Sequence, residues 1–248
     1  MPPTPSKSTL RPILISGLQQ LEGHRLDAFM DLLERDVLSQ KIKFPLLEWL
    51  TLEWLKVLPG ERQVEMAERI VGVKAIGSYV MAGVILRERL PHDFAGAMSK
   101  ARDFIISGDE WYVCDIIGER VPGYALLTMP KMALPELNRM ARHSNKWIVR
   151  AVGVAAQLAV KWGLPPGYAE KTFKLLLSLA DSTDFHTGKG VGWGAKTIAR
   201  FHPDMVRTYL PDILDDPSIR PWFKRKLNIG LNLSLKDAER DTGKNGTE

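Results

Sequence analysis

The chain lacks the features that mark secreted, membrane-spanning and metal-dependent proteins. Its single cysteine, Cys114, cannot form an internal disulfide, so a reducing, cytoplasmic setting is expected. No run approaches the roughly 18 apolar residues that span a bilayer, and residues 1–8 have no apolar core of a signal peptide. The five histidines are scattered, with no HExxH pair and no cysteine partners. Neither a metal site nor an organic cofactor is therefore expected.

Common catalytic and nucleotide-binding motifs are also missing. The segment Gly188-Lys189-Gly190 superficially suggests a phosphate loop, but the full GxxxxGK[ST] pattern is absent, which excludes a P-loop nucleotide triphosphatase. The sequence has neither a GxSxG nucleophile segment nor a Rossmann glycine signature. No convincing strand or hairpin pattern stands beside the helical segments. These absences leave an all-helical protein whose sequence carries none of the common catalytic motifs.

Apolar residues recur with the helical period along most of the chain, as in Arg25–Leu38. Predicted helices that begin at about Ala75, Glu110, Lys146 and Lys189 are each followed by a second helix before the next start. A helix pair every 35 to 45 residues is typical of HEAT-like or armadillo-like repeats. We therefore predict an all-α fold, an α-solenoid or superhelix of HEAT-like helical repeats with a concave face. An irregular helical domain is the alternative.

The predicted domain organisation is simple. One HEAT-like repeat domain is expected over 9–235, between a disordered N-terminus, 1–8, and a disordered tail, 236–248. The tail is polar and has no apolar periodicity, which favours disorder. A repeat domain with one concave face needs no second chain, so a monomer is expected.

Positive charge is concentrated in the C-terminal half. Residues 131–226 hold 16 Lys and Arg against 8 Asp and Glu, whereas the rest of the chain holds 18 against 21. A basic half beside a slightly acidic half is a plausible electrostatic footprint for DNA. The alternative is a set of solvated lysines on the backs of helices.

Trp111 and Asp115 are the first two of four residues that suggest a specific chemistry. They are four residues apart, so on a helix they share one face. Asp109 is a suitable N-cap for this helix, whereas Asp115 lies in its interior and is not explained by capping. The alternative for Asp115 is a surface carboxylate paired with a neighbouring Lys or Arg.

Arg150 is the third of these residues. It lies four residues after Lys146, so the two form a short basic strip on a predicted helix. Its guanidinium group suits bidentate contact with phosphate. An ion pair with Asp115 or Glu136 is the alternative.

Trp193, the fourth residue, lies among several glycines. Four glycines near a helix start are costly to the helix and are reasonable where something approaches the backbone closely. Lys196 and Arg200 continue a basic face beyond Trp193. The glycines are Gly188, Gly190, Gly192 and Gly194.

With these residues at these spacings, the chain resembles the AlkD-like family of DNA alkylation repair glycosylases, which are built from HEAT-like repeats. The resemblance covers about 75–209. It rests on Trp111 four residues before Asp115, on Arg150 35 residues later, and on Trp193 in Lys189-Gly-Val-Gly-Trp. It implies that a concave face holds DNA, that both Trp and the Asp surround the deoxyribose of the lesion, and that the Arg contacts the backbone. It also implies that the base is not extruded into a pocket, unlike in most glycosylases.

The resemblance implies base excision repair on double-stranded DNA that carries alkylated bases, in the cytoplasm and on the nucleoid. Asp115, Trp111, Trp193 and Arg150 are the expected catalytic residues. A further set is expected to hold the DNA backbone together with Arg150, without reading sequence: Lys146, Trp147, Lys189, Lys196 and Arg200. The alternatives are a non-catalytic protein that binds damaged or branched DNA and a helical scaffold that binds another protein.

Overall fold

The computed structural model describes residues 5–244, with side chains described to residue 240, and this part of the chain contains α-helices but no β-strand. The predicted all-α class is thereby confirmed. The chain divides into two compact units, Met1–Val121 and Pro122–Glu248. The single repeat domain predicted over 9–235 includes residues of both units.

The first unit contains seven α-helices among its described residues. Helices α3, α4 and α7 all pack against α5. Nearly every residue of α5 from Ser78 to Leu86 is buried, so this helix forms the centre of the unit. The helices are α1 (Lys7–Glu22), α2 (Leu26–Leu33), α3 (Phe44–Leu55), α4 (Gly60–Gly72), α5 (Ile76–Arg89), α6 (Phe94–Gly108) and α7 (Trp111–Gly118), with a π-helical turn at Glu34–Leu38. A second π-helical turn, Glu119–Gly123, includes the last residues of this unit and the first of the next.

The second unit repeats one arrangement. Helices α10, α12 and α14 pack side by side, and shorter helices alternate with them along the chain. Helix α10 is buried on almost all sides from Trp147 to Val160. The helices are α8 (Tyr124–Thr128), α9 (Pro130–Ala141), α10 (Lys146–Lys161), α11 (Pro166–Leu177), α12 (Phe185–Phe201), α13 (Pro203–Asp215) and α14 (Pro221–Lys244).

The repeat period is more regular than the sequence predicts. The first helices of successive pairs begin at Ile76, Trp111, Lys146 and Phe185, which are 35 to 39 residues apart. The predicted last interval was longer because α12 begins four residues before Lys189. The helical-repeat prediction is confirmed, with a corrected start for this helix.

At both ends predicted to be disordered, the structure places helical residues where it describes the chain. Helix α1 begins at Lys7 because Ser6 and Thr9 form a reciprocal cap, in which each side chain accepts the other's backbone N–H. Helix α14 continues to Lys244, and within it Asp237 pairs with Arg200 of α12. Residues 1–4 and 245–248 of the two predictions lie outside the described residues.

The glycines of α12 are explained by its two neighbouring helices. A Cβ atom on Gly190 would lie 2.5 Å from the Arg150 carbonyl oxygen of α10, and one on Gly194 would lie 2.6 Å from the Gly153 oxygen. On the opposite side, a Cβ on Gly192 would lie 2.9 Å from the Lys226 side chain of α14. The close approach that the sequence predicts is therefore helix packing on both sides of α12.

Within residues 5–244, none of the helices combines the length and the apolar character that crossing a bilayer requires.

Candidate functional site

Trp111 and Asp115 lie on the solvent-facing side of α7. The Trp111 side chain is 53% exposed and Asp115 is half-buried, whereas Val113 and Ile117 on the other side are fully buried. Trp111 and Asp115 share one face of this helix, as their spacing predicts, and the apolar residues on the other side face the core.

The prediction that Asp109 caps α7 is wrong. Asp109 ends α6 in a left-handed conformation, with φ of 46°, and Glu110 occupies the N-cap position without a side-chain hydrogen bond. A short polar residue such as Asp tolerates this conformation better than most side chains do. The tight link between the two helices therefore uses Asp109 as a turn residue.

Two tyrosines that the sequence analysis does not single out support the Trp111 ring. Tyr112 meets it edge-on, with ring centroids 5.9 Å apart, and Tyr79 of α5 meets Tyr112 at 6.2 Å. Tyr79 is buried, and this burial raises the pKa of its hydroxyl; the neighbouring Tyr112 raises it further, to a smaller extent. Edge-to-face ring pairs of this kind stabilise one ring orientation. No spacing motif connects Tyr79 to Tyr112, so the sequence gives no signal for this contact.

The start of α10 supplies three of the predicted residues, of which one needs correction. Asn145 caps the helix by accepting the Trp147 backbone N–H at 2.9 Å. Trp147 is predicted to bind DNA, but its side chain is only 4% exposed, and its ring packs at a tilt against His186 of α12 with centroids 4.3 Å apart. A buried ring cannot stack on a base, so Trp147 supports its neighbours instead. The exposed Lys146 lies over this ring, with Nζ 4.8 Å from the centroid.

Arg150 connects α10 to the first turn of α12. Its side chain is 8% exposed, and Nη1 donates a hydrogen bond to the His186 carbonyl oxygen at 3.2 Å. Gly190 allows this contact, because a Cβ there would lie 2.6 Å from the Arg150 Cγ. Arg150 thus has a structural role within the second unit, and its predicted phosphate contact stays a prediction.

The N-terminus of α12 carries an aromatic residue that the sequence analysis missed. Phe185 is 66% exposed, and Lys189 lies over its ring with Nζ 5.0 Å from the centroid. His186, the next residue, meets the Phe185 ring edge-on at 5.3 Å. Because the predicted helix begins at Lys189, both rings fall in a predicted loop. Asp184 is a good N-cap residue, so the sequence did contain a signal for a helix that begins at Phe185.

Further along α12, the residues predicted to bind DNA differ in solvent exposure and in whether they have a partner within the protein. Trp193 and Lys196 are half-buried on the same side of the helix as Lys189. Arg200, predicted to bind DNA, makes a bidentate pair with Asp237 at 2.7 and 3.0 Å. Arg200 therefore has a carboxylate partner within the second unit, and its predicted DNA contact stays a prediction.

Trp111 and Asp115 belong to the first unit, and Arg150 and Trp193 to the second. Their convergence on one face stays a prediction. Among the described side chains, no group of three or more His, Cys, Asp or Glu residues is placed to hold a metal ion.

Asp184→Ala is expected to lower the free energy of unfolding by about 1 kcal/mol, because it removes the N-cap of α12. Asp184 Oδ1 accepts the Thr187 N–H at 2.7 Å. Burial opposes ionisation of Asp184, but hydrogen bonds from Thr187 and the charges of His186 and Lys146 together lower its pKa. The difference between parent and variant should therefore be complete above about pH 4, the ordinary Asp value, and decline as the pH falls through the lowered pKa.

Urea denaturation at several pH values tests this prediction. Asp184→Asn is the matched control, since Asn is an equally good N-cap without the charge. Equal stability of parent and Asp184→Ala at neutral pH would contradict the assigned cap.

Helix pairs that repeat every 35 to 39 residues define an all-α helical-repeat protein. The sequence profile of the DNA alkylation repair enzyme family matches residues 36–225. The chain belongs to this family, which confirms the predicted resemblance and gives the protein a role in DNA alkylation repair.

Comparison with solved structures supports the same fold. The crystal structure of AlkD2 from Streptococcus mutans matches with a TM-score of 0.68 at 17% sequence identity, covering 83% of this chain and 97% of that chain. At this identity the likeness shows a shared fold. A comparison with curated protein sequences gave no match.

Proposed function

We propose that the protein is a DNA N-glycosylase that hydrolyses the N-glycosidic bond of cationic N3- or N7-alkylated purines in double-stranded DNA. Family membership supports the general role in alkylation repair. The exposed Trp111 ring and the half-buried Asp115 carboxylate, one turn apart on a helix whose other face is buried, carry the finer proposal. The protein would act as a monomer within base excision repair.

The chemistry of a cationic lesion requires one carboxylate. An N3- or N7-alkylated purine is positively charged and leaves as a neutral base, so neither a strong general acid nor a Lewis acid is needed. As the bond breaks, positive charge moves onto the sugar. An ionised Asp115 would stabilise that charge and orient the attacking water. Enzymes that cleave neutral glycosides use a pair of carboxylates instead.

The two tryptophans would act through their ring faces. A cation over an indole ring is stabilised by about 0.5–2 kcal/mol, and both Trp111 and Trp193 keep part of their surface accessible to solvent. The Tyr112 ring, edge-on to Trp111, would hold that indole in one orientation. By analogy with the family that the sequence resembles, the base would stay in the duplex during the reaction.

The basic residues of the second unit would bind the phosphate backbone. Lys146 and Lys189 are exposed and Lys196 is half-buried, and all three suit contacts that are independent of base sequence. Binding should weaken steeply with salt, because each phosphate contact releases counterions. Arg150 is expected to contribute through the geometry of the α10–α12 junction as well as through its charge.

A base-release assay tests the proposed function. Purified protein is incubated with duplexes that carry N7-methylguanine, N3-methyladenine or the neutral adduct 1,N6-ethenoadenine, and freed bases are separated by chromatography. Release above the spontaneous rate is expected from the two cationic lesions only. Duplex binding without any release would replace the proposal with a non-catalytic DNA-binding role.

A further inference from the structure

Lys226 of α14 lies against α12 because Gly192 leaves room for it. The Lys226 Cγ atom would be 2.9 Å from a Cβ on Gly192. Trp222, one turn earlier on α14, covers Gly188 and donates its Nε1–H to the Ser182 carbonyl oxygen at 3.1 Å. The Lys226 stem is therefore held against the α12 backbone by packing, unlike an ordinary surface lysine.

Two lysines of α12 flank this contact. Lys189 precedes Gly192 by three residues and Lys196 follows it by four, so both lie on the side of α12 that receives Lys226. The pKa of Lys226 is lowered, mainly because the side chain is partly buried. The positive charges of Lys196, Lys189 and Arg225 lower it further. Three ammonium groups thus share one small region of α12 and α14.

The three lysines have no carboxylate partner among the described side chains. Some basic residues of this unit do have a carboxylate partner: Lys174 pairs with Glu170 at 3.0 Å, and Arg200 pairs with Asp237. Like charges held together cost folding free energy when no anion offsets them. A bound anion would remove this cost, so the cluster is suited to a ligand that carries negative charge.

We propose that Lys189, Lys196 and Lys226 form a phosphate site across α12 and α14 that holds a phosphodiester of the DNA backbone. That the ligand is DNA rests on the proposed function. The site would extend the DNA contact to Lys226 of α14, one residue beyond the end of the family match at 225. Lysine acts as a point charge without the bidentate geometry of arginine. The site therefore positions the duplex and reads no sequence.

The salt dependence of duplex binding tests the site. Fluorescence anisotropy with an undamaged duplex is measured over a series of NaCl concentrations for the parent and for Lys226→Gln. The variant should bind more weakly, and its slope of log K against log salt should be smaller by about one unit, because one phosphate contact is lost. Its thermal midpoint should equal or exceed that of the parent, because a partly buried, repelled charge is removed.

Two further variants make the result specific. Lys226→Arg keeps the charge and should keep the parent slope. Lys174→Gln removes a lysine of the same unit that Glu170 already neutralises, and it should also keep the parent slope. An unchanged slope in Lys226→Gln would overturn the site, as would equal losses of slope in Lys226→Gln and Lys174→Gln.

Saturable binding of inorganic phosphate that depends on Lys226, with an unchanged DNA slope, would assign the cluster to a free anion and overturn the DNA contact.

The failure of this site and the failure of the proposed function have different signatures. Normal base release with an unchanged salt slope in Lys226→Gln rejects only the lysine site. A smaller slope in a protein that releases no base rejects only the glycosylase.

Discussion

Asp115→Asn is expected to slow the release of N7-methylguanine or N3-methyladenine by about 10²-fold or more, with fold and duplex affinity nearly unchanged. Asn matches Asp in shape but lacks the negative charge that would stabilise the developing sugar cation. Removing one preorganised electrostatic group from a transition state commonly costs on the order of 10²-fold in rate. The measurement is single-turnover release from a lesion-bearing duplex, corrected for spontaneous depurination.

Glu110→Gln is the matched control for this experiment. Glu110 is an exposed carboxylate next to Trp111, and its side chain does not cap the helix. Its removal changes the net charge as Asp115→Asn does, so an unchanged release rate is expected. If Asp115→Asn released base as fast as the parent, the assigned mechanism would be wrong.

A double-mutant cycle tests whether Asp115 and Trp193 act in one step. Each single variant, Asp115→Asn and Trp193→Ala, should lower the release rate. If both residues stabilise the same transition state, the double variant should lose less than the product of the two single losses. Strictly multiplicative losses would mean that the two residues act independently.

The helices of this protein could largely be predicted from the sequence, because their apolar periodicity and short polar breaks are local signals. The start of α12 was predicted four residues late, although the Asp184 N-cap signal was available. Its glycines are poor helix formers by propensity. In the structure, packing against α10 and α14 outweighs that propensity, and the helix begins at Phe185. The extension of α14 to Lys244 was missed because a polar sequence carries no periodic signal.

The burial of individual side chains was harder to predict than the helices. Trp111 and Trp147 both lie at the start of a helix, one exposed and the other covered by His186. The difference depends on a contact between residues 39 positions apart, which the helical pattern of α10 does not encode. Arg200 is similar, because its partner Asp237 lies in a segment predicted to be disordered. Spacing motifs identified residue types that can contact DNA, and tertiary contacts decide which of these side chains are exposed to solvent.

Gly153→Ala is expected to lower the free energy of unfolding by about 3 kcal/mol, a large fraction of the stability of a typical domain. A Cβ atom on Gly153 would lie 2.2 Å from the Gly190 carbonyl carbon and oxygen and 2.4 Å from the Val191 nitrogen. These are backbone atoms of α12, so no rotamer change can relieve the clash and the two helices must separate. Separation would also draw Arg150 away from the His186 carbonyl oxygen, so duplex binding should weaken even in the fraction that remains folded.

Gly167→Ala is the control that isolates packing from the general effect of adding a methyl group. Gly167 lies in the first turn of α11, and none of the described residues brings an atom within 4 Å of the position of its Cβ. Alanine is a better helix former than glycine, so this variant should be as stable as the parent or more stable by up to about 1 kcal/mol. Urea denaturation of the three proteins gives the comparison. If Gly153→Ala unfolded at the same urea concentration as Gly167→Ala, α10 and α12 could not approach as closely as described, and the glycines of α12 would need another explanation.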